Sequence, residues 1–179
     1  DFVFDGSKIS PYTEEDETNP KSVYGETKRQ GEIEIQNTLK QHYIVRTSWL
    51  YSQYSNNFLN TMLRLGKERT SLSVVNDQTG TPTHAVDLAK ALVQIILSGK
   101  NTYGIYHFSN EGTATWYDFS KKIFEINNIA IDLQPIPTTA YPTPAQRPHY
   151  SVLDKSKIKE VFGINIPHWE ESLLNTKGR

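Results

Sequence analysis

Apolar positions along the 179 residues alternate between short runs and helical spacings, so that strands and helices follow one another in the chain. Phe2-Val3-Phe4 is a short apolar run closed by Asp5-Gly6 and predicts the end of a strand. Gly6 to Pro20 is polar, with Pro11 and the acidic cluster Glu14-Glu15-Asp16-Glu17, and predicts a solvated loop. From about Val23 to Lys40, Tyr24, Lys28, Gly31, Glu32, Ile35 and Leu39 recur at intervals of three or four. That spacing predicts a helix with this side turned toward the body of the protein, Gly31 admitting a close neighbour. Tyr43 to Trp49 reads as a mostly buried strand. Strand, crossover helix and strand imply a βαβ unit and a parallel sheet.

Asn57, either an N-cap or a side-chain amide at a strand-end crevice, leads into a helix to about Lys67 with Phe58, Met62 and Leu65 on one side. Ser73 to Gln78 predicts a strand that runs into the polar loop Thr79-Gly80-Thr81-Pro82-Thr83. His84 to Leu97 predicts a helix whose buried stripe is Val86, Leu88, Ala89, Leu92, Val93 and Ile96. Gly104 to Phe108 is a strand, and Thr113-Ala114-Thr115 caps a helix from Trp116 to about Ile126. After a short strand at 133–136 comes a proline-punctuated loop, 138–148, that presents Arg147. Helices over 154–162 and 167–175 complete the chain. The fold class is therefore α/β.

Composition narrows the function classes. A formal net charge of -1 without a long basic block provides no electrostatic footprint for nucleic acid or an anionic membrane surface. No cysteine is present, which excludes thiol catalysis and thiolate metal sites; the cytoplasm is the default compartment. The longest apolar run, Ala91 to Leu97, is interrupted by Gln94 and far too short for a bilayer, and the N-terminus lacks the layout of a signal peptide. The five histidines are scattered without ligand spacing, so no metal site is expected. A nucleophile motif of the G-x-S-x-G kind is absent, which disfavours a triad hydrolase.

The chemistry sits in Val23-Tyr24-Gly25-Glu26-Thr27-Lys28. Tyr24 and Lys28 are four apart and stand one turn above the other on a helix. A phenol, with an ordinary pKa of about 10, is a poor proton donor or acceptor at neutral pH, and a fixed ammonium brings it into range. The pair can therefore transfer protons, although an inward Tyr with a snorkelling Lys has the same spacing. Ligands on parallel sheets bind at the carboxyl ends of strands, here around Phe4-Asp5 and Thr47 to Tyr51. A guanidinium at Arg147, on a loop stiffened by prolines, has the geometry to grip a phosphate.

In order and separation, several segments closely resemble the dTDP-4-dehydrorhamnose reductases, which are extended short-chain dehydrogenase/reductases. They are Asp1 to Gly6, Val23 to Lys28, Arg46-Thr47-Ser48-Trp49, Asn56-Asn57-Phe58, Asn76 to Thr83, Pro137 to Ala145 and Arg147-Pro148. The resemblance runs from Asp1 to about Trp169. It implies a doubly wound Rossmann-type parallel sheet with a small α/β substrate-binding lobe. Residues 1–55 and 72–110 would belong to the dinucleotide-binding part, and 56–71 and 111–179 mainly to the lobe. It further implies reduction of dTDP-4-dehydro-L-rhamnose to dTDP-L-rhamnose with NADPH or NADH. By position, Tyr24 would donate the proton to the C4 oxygen, and Lys28 would lower its pKa and hold the nicotinamide ribose. Thr47 and Ser48 would lie near the nicotinamide, and Asp1 and Trp49 against the substrate. Asn57, Asp77, Gln78 and Arg147 would surround the nucleotide diphosphate.

The chain departs from the family pattern in two respects. The glycine-rich dinucleotide fingerprint is absent, so the chain reads as the C-terminal portion of the enzyme, inactive alone and active within its parent. Phe2 stands where many relatives have Tyr, which removes a hydroxyl from the site. An unpaired Phe2-Val3-Phe4 strand would be an association hazard, through which the fragment would form a homodimer or aggregate. Two other functions share these residues: a non-catalytic regulatory or binding subunit, and a reductase or epimerase acting on another nucleotide sugar.

Overall fold

The computed structural model describes residues 1–143 and 147–176; Pro144, Ala145 and Gln146 of the proline-punctuated loop, with the last three residues, lie outside the described residues. Helix α1 (Val23–Thr38) leads into β1 (Tyr43–Arg46) and β2 (Leu50–Tyr51), followed by α2 (Phe58–Glu68) and β3 (Ser71–Val75). Short strands β4 (Thr79–Gly80) and β5 (Thr83–His84) precede α3 (Ala85–Leu97) and β6 (Gly104–His107). Then come β7 (Ala114–Thr115), α4 (Trp116–Ile126), β8 (Asp132–Ile136), a 3-10 turn (Thr138–Ala140), α5 (Ser156–Phe162) and α6 (Trp169–Leu174). None of the described helices is long and apolar enough to cross a membrane.

Side chains satisfy first free N–H groups at α1, α2, α4 and α6, whereas α3 and α5 begin without a side-chain cap. Ser22 caps α1 through the Gly25 N–H at 3.1 Å, and Thr115 with Asp118 forms a reciprocal capping box on α4. Three strand pairs are parallel, β1 with β6, β2 with β5 and β3 with β8, while β4 pairs antiparallel with β7. The two larger apolar clusters pack helices against strands. One gathers Leu59, Met62, Val74, Phe119, Ile123 and Leu173, joining α2, α4 and α6 to β3. The other packs Ala91 and Ile95 of α3 against Tyr106, Phe108, Ile158 and Phe162. Fully buried Asn110 ties α3 to α6: its Nδ2 donates to Asp87 at 3.0 Å and to Ser172 at 2.9 Å, and its Oδ1 accepts the His84 N–H at 2.7 Å.

Four expectations are corrected. Phe2-Val3-Phe4 is a turn, closed by the Phe4 N–H on the Asp1 carbonyl, and not a strand. Val3 and Phe4 anchor it in a third cluster with Tyr12 and Leu153, where Phe4 stacks on Tyr12 at 4.2 Å. This segment thus offers no strand edge for a second copy.

The inward side of α1 runs through Gly25 and Glu32, whereas Tyr24 is 59 % exposed and Ile35 and Leu39 also face solvent. Gly25 makes the close approach assigned to Gly31: a Cβ on Gly25 would lie 2.2 Å from the Phe2 carbonyl oxygen, and one on Gly31 would meet nothing.

On α3 the buried positions are Ala91 and Ile95, while Val93, Ile96 and Leu97 lie open. This helix is apolar nearly all round, so spacing alone does not identify its packed face. The strand expected over 43–49 ends at Arg46, because Trp49 takes a positive φ of 43° that breaks the extended run before β2.

Candidate active site and nucleotide cleft

The first turn of α1 rests on the Asp1-Phe2 turn. The Phe2 ring meets Tyr24 edge-on at 5.6 Å, and the Lys28 ammonium lies 5.4 Å from the centre of the Tyr24 ring. The Asp1 backbone nitrogen donates to the Thr47 carbonyl at 2.9 Å, which joins this turn to the end of β1. Thr47 and Ser48 follow the last β1 residue, and the Ser48 hydroxyl donates to the Thr81 carbonyl at 2.7 Å. Asp1 Oδ2 and Thr47 Oγ1 are buried with no hydrogen-bond partner among the described residues. Two unsatisfied oxygens in one small region are costly, and a polar ligand would relieve that cost.

A buried ion pair holds α1 on this strand end. The Arg46 guanidinium bonds Glu32 through two nitrogens, at 2.7 and 2.8 Å. Its third nitrogen stands 3.4 Å from His107 Nε2. The other His107 nitrogen lies 3.0 Å from the Tyr12 carbonyl, which assigns the proton to Nδ1 and leaves Nε2 to accept from Arg46. Burial first, and then the Arg46 charge, push the His107 pKa down to about 3, so the ring stays neutral.

The second feature is a cleft of about 860 Å³. Its floor is the β3–β8 ribbon, and its walls are α2 and the segment after the 3-10 turn, with Arg69 and Arg147 both in its lining. Neither guanidinium has a carboxylate partner among the described residues. Buried Gln78 reaches the cleft from the end of β3 and donates to the Thr138 hydroxyl at 3.0 Å. Two arginines and a buried amide, beside a floor that mixes Leu72, Val74 and Ile136 with Ser73 and Gln134, suit a ligand with a phosphate at one end and a flat ring at the other.

The residues expected at the site divide between these features. Tyr24, Lys28, Asp1, Thr47, Ser48 and Trp49 gather around the end of β1, and Gln78 and Arg147 line the cleft. Asn57 serves its own loop: Nδ2 donates to the Ser52 carbonyl at 2.7 Å and Oδ1 accepts the Asn60 N–H at 3.3 Å, as the N-cap of α2. Asp77 accepts the Thr138 N–H at 2.9 Å and the Thr138 hydroxyl at 2.5 Å, and does not line the cleft. Burial pushes the Asp77 carboxyl up, but the Thr138 bonds outweigh it and the net shift is downward.

Sequence reasoning passed over Arg69 and Trp116. Arg69 follows α2 as its C-cap, where a cation is common for helix reasons alone, and so carried no separate signal. Trp116 opens α4 next to the capping Thr115, and only the folded chain sets it against Trp49 at 3.6 Å. Among the described residues, no group of three or more His, Asp or Glu is placed to hold a metal ion.

The chain is 44% identical over 179 residues to the dTDP-4-dehydrorhamnose reductase of Escherichia coli K12, covering 95% of this chain and 60% of that protein. Among solved structures, the dTDP-4-dehydrorhamnose reductase of Clostridium acetobutylicum superposes with a TM-score of 0.94 at 43% identity, covering 98% of this chain and 61% of that one. The Bacillus anthracis dTDP-4-dehydrorhamnose reductase, solved in complex with NADP, gives 0.91 at 39% identity, again over 98% and 61%. The chain thus spans about three fifths of the length of the relatives it matches. The architecture is that of the Rossmann-type sugar-nucleotide reductases and epimerases, a UDP-galactose 4-epimerase superposing at 0.76 with 15% identity. The family described as the RmlD substrate binding domain matches residues 1–177, and the chain belongs to that family.

Proposed function

We propose that this chain carries the proton-transfer pair and the nucleotide-sugar cleft of an NAD(P)H-dependent reductase that converts dTDP-4-dehydro-L-rhamnose to dTDP-L-rhamnose. The observation that carries this reading is the Tyr24-Lys28 pair set over the Asp1-Phe2 turn, beside the unsatisfied oxygens of Asp1 and Thr47. Two buried acceptors without partners, next to an accessible phenol and ammonium, fit the polar edge of a sugar and a nicotinamide ribose. NADPH (or NADH), when bound, supplies the hydride to C4 of the sugar.

The side chains then have separate tasks. Tyr24 gives its phenolic proton to the C4 oxygen as charge develops there. Lys28, one turn further on, favours the phenolate that remains and binds the nicotinamide ribose. Thr47 and Ser48 border the nicotinamide, and Asp1 and Trp49 border the sugar. Arg147, joined by Arg69, holds the diphosphate, while Gln78 lies deeper in the cleft. Asn57 and Asp77 support this region by fixing the loops that surround it.

The same reading assigns residues 1–55 and 72–110 to the dinucleotide-binding part and 56–71 and 111–179 mainly to the substrate lobe. Packing joins the two parts: β3 of the first packs with α2 and α4 of the lobe, and α5 of the lobe packs with α3 of the first.

The test joins this chain to an N-terminal dinucleotide-binding half and follows NADPH absorbance on addition of dTDP-4-dehydrorhamnose. Tyr24→Phe is expected to lower kcat by about 10²-fold or more, with dTDP affinity and circular dichroism unchanged because the side chain is exposed. A loss of only a few-fold removes Tyr24 as the acid.

A further inference from the structure

Trp49 is the most constrained aromatic residue near the strand-end site. Its backbone lies in the left-handed region at φ 43°, uncommon for a large side chain, and its carbonyl accepts the Thr83 N–H at 3.1 Å. One contact of its indole is Gly80, where a Cβ would stand 2.5 Å from Trp49 Cε2. The other is Trp116, stacked with ring centres 3.6 Å apart and planes 8° from parallel.

Trp116 belongs equally to the cleft. It lines that volume, packs on Phe58 at 4.6 Å, and donates its Nε1–H to Gln78 Oε1 at 3.2 Å. Gln78 in turn bonds Thr138, and Thr138 bonds Asp77. A continuous line of contact therefore runs from the 3-10 turn at the cleft wall, through Gln78 and Trp116, to Trp49.

We propose that Trp116 is a positioning residue: its indole, set by Gln78 on the cleft side, holds the Trp49 ring where the sugar end of a nucleotide sugar meets it. The inference rests on the nucleotide-sugar reading above and extends it to a residue that acts through its neighbour. Truncating Trp116 removes one support of a strained residue and frees the Gln78 carbonyl, so Trp49 loses its fixed orientation. Ligand affinity then falls chiefly through the sugar.

The experiment is a double-mutant cycle on this chain with Trp49→Leu, Trp116→Leu and both together. Affinity for dTDP-L-rhamnose and for dTDP is measured by calorimetry. Circular dichroism reports the fold and the exciton signal of the stacked indoles. Either single substitution is expected to abolish that signal and to weaken dTDP-L-rhamnose binding by about two- to tenfold, the range for one aromatic pair. The double substitution is expected to weaken it by about the same factor as either alone, since both remove one shared unit. Trp116→Phe, which keeps a flat face for Trp49, should recover most of the affinity without the exciton signal, and it carries the cycle if Trp116→Leu does not fold.

Losses that multiply in a folded double variant overturn the coupling while leaving the nucleotide site in place. A Trp116→Leu loss of the same size for dTDP as for dTDP-L-rhamnose also overturns it, because Trp116 would then act only as cleft wall. A folded parent chain that binds neither ligand withdraws the nucleotide reading, and this inference with it.

Discussion

Arg46 and His107 show how the strand end is kept both charged and dry. The guanidinium is buried and bonded to Glu32 through two short contacts, and beside it burial and the Arg46 charge outweigh the opposing pull of Asp154 on the His107 imidazole. Its pKa of about 3 in the folded chain lies well below the ordinary histidine value of about 6.5. Between those two values the unfolded chain binds a proton that the folded chain does not. Stability from this group is complete above about pH 6.5 and falls as pH drops toward 3. Thermal unfolding between pH 7 and pH 4 should therefore show a steeper loss of Tm in the parent chain than in His107→Gln, which cannot charge. The other shifted groups, His84 and Glu14 among them, are common to both chains and cancel in the comparison. Equal pH dependence in the two would show that His107 titrates normally.

At the level of elements, α1 is the piece whose placement matters most, because it carries Tyr24 and Lys28. Gly25→Ala would drive a methyl group to 2.2 Å from the Phe2 carbonyl oxygen and lift the helix from the turn that bears Asp1. A loss of about 1–3 kcal/mol is expected from such overpacking. Gly31→Ala meets open space within the same helix and should stabilise it by about 0.5–1 kcal/mol. Urea unfolding of the two variants checks both signs, and a stable Gly25→Ala chain would contradict the close approach.

These two glycines also mark the limit of what the sequence disclosed. The helix and the four-residue spacing of Tyr24 and Lys28 were legible because they depend on local periodicity. Which glycine touches a neighbour was not, since that depends on Asp1-Phe2 folding into a turn instead of a strand. Phe2-Val3-Phe4 is apolar in either case, and its partners Tyr12 and Leu153 are distant in sequence. The same reason hid the Trp49–Trp116 stack, whereas Arg147 and Gln78 could be placed at the cleft from the resemblance of their segments. The Asn57 side chain is spent on its own loop and the Asp77 carboxylate on Thr138 of the 3-10 turn, partners that the sequence does not disclose.

For the whole molecule, this chain spans about three fifths of the length of its relatives, and two of its helices present apolar side chains to solvent. Ile35 on α1 with Leu39 just past its end, and Ile96 and Leu97 on α3, the last pair 72 and 79 % exposed, form apolar surfaces prone to self-association in the chain alone. Sedimentation at increasing concentration should show a rising mean mass, and a monodisperse monomer at tens of micromolar would contradict this. The cleft differs in kind, because its floor, walls and arginines all lie within these residues. Its ligand binding should survive in the isolated chain. The most direct measurement is therefore calorimetric titration of the folded chain with dTDP and, in parallel, with UDP. Saturable binding that prefers dTDP and weakens in Arg147→Ala is the predicted result; a folded chain that binds neither nucleotide would contradict the account.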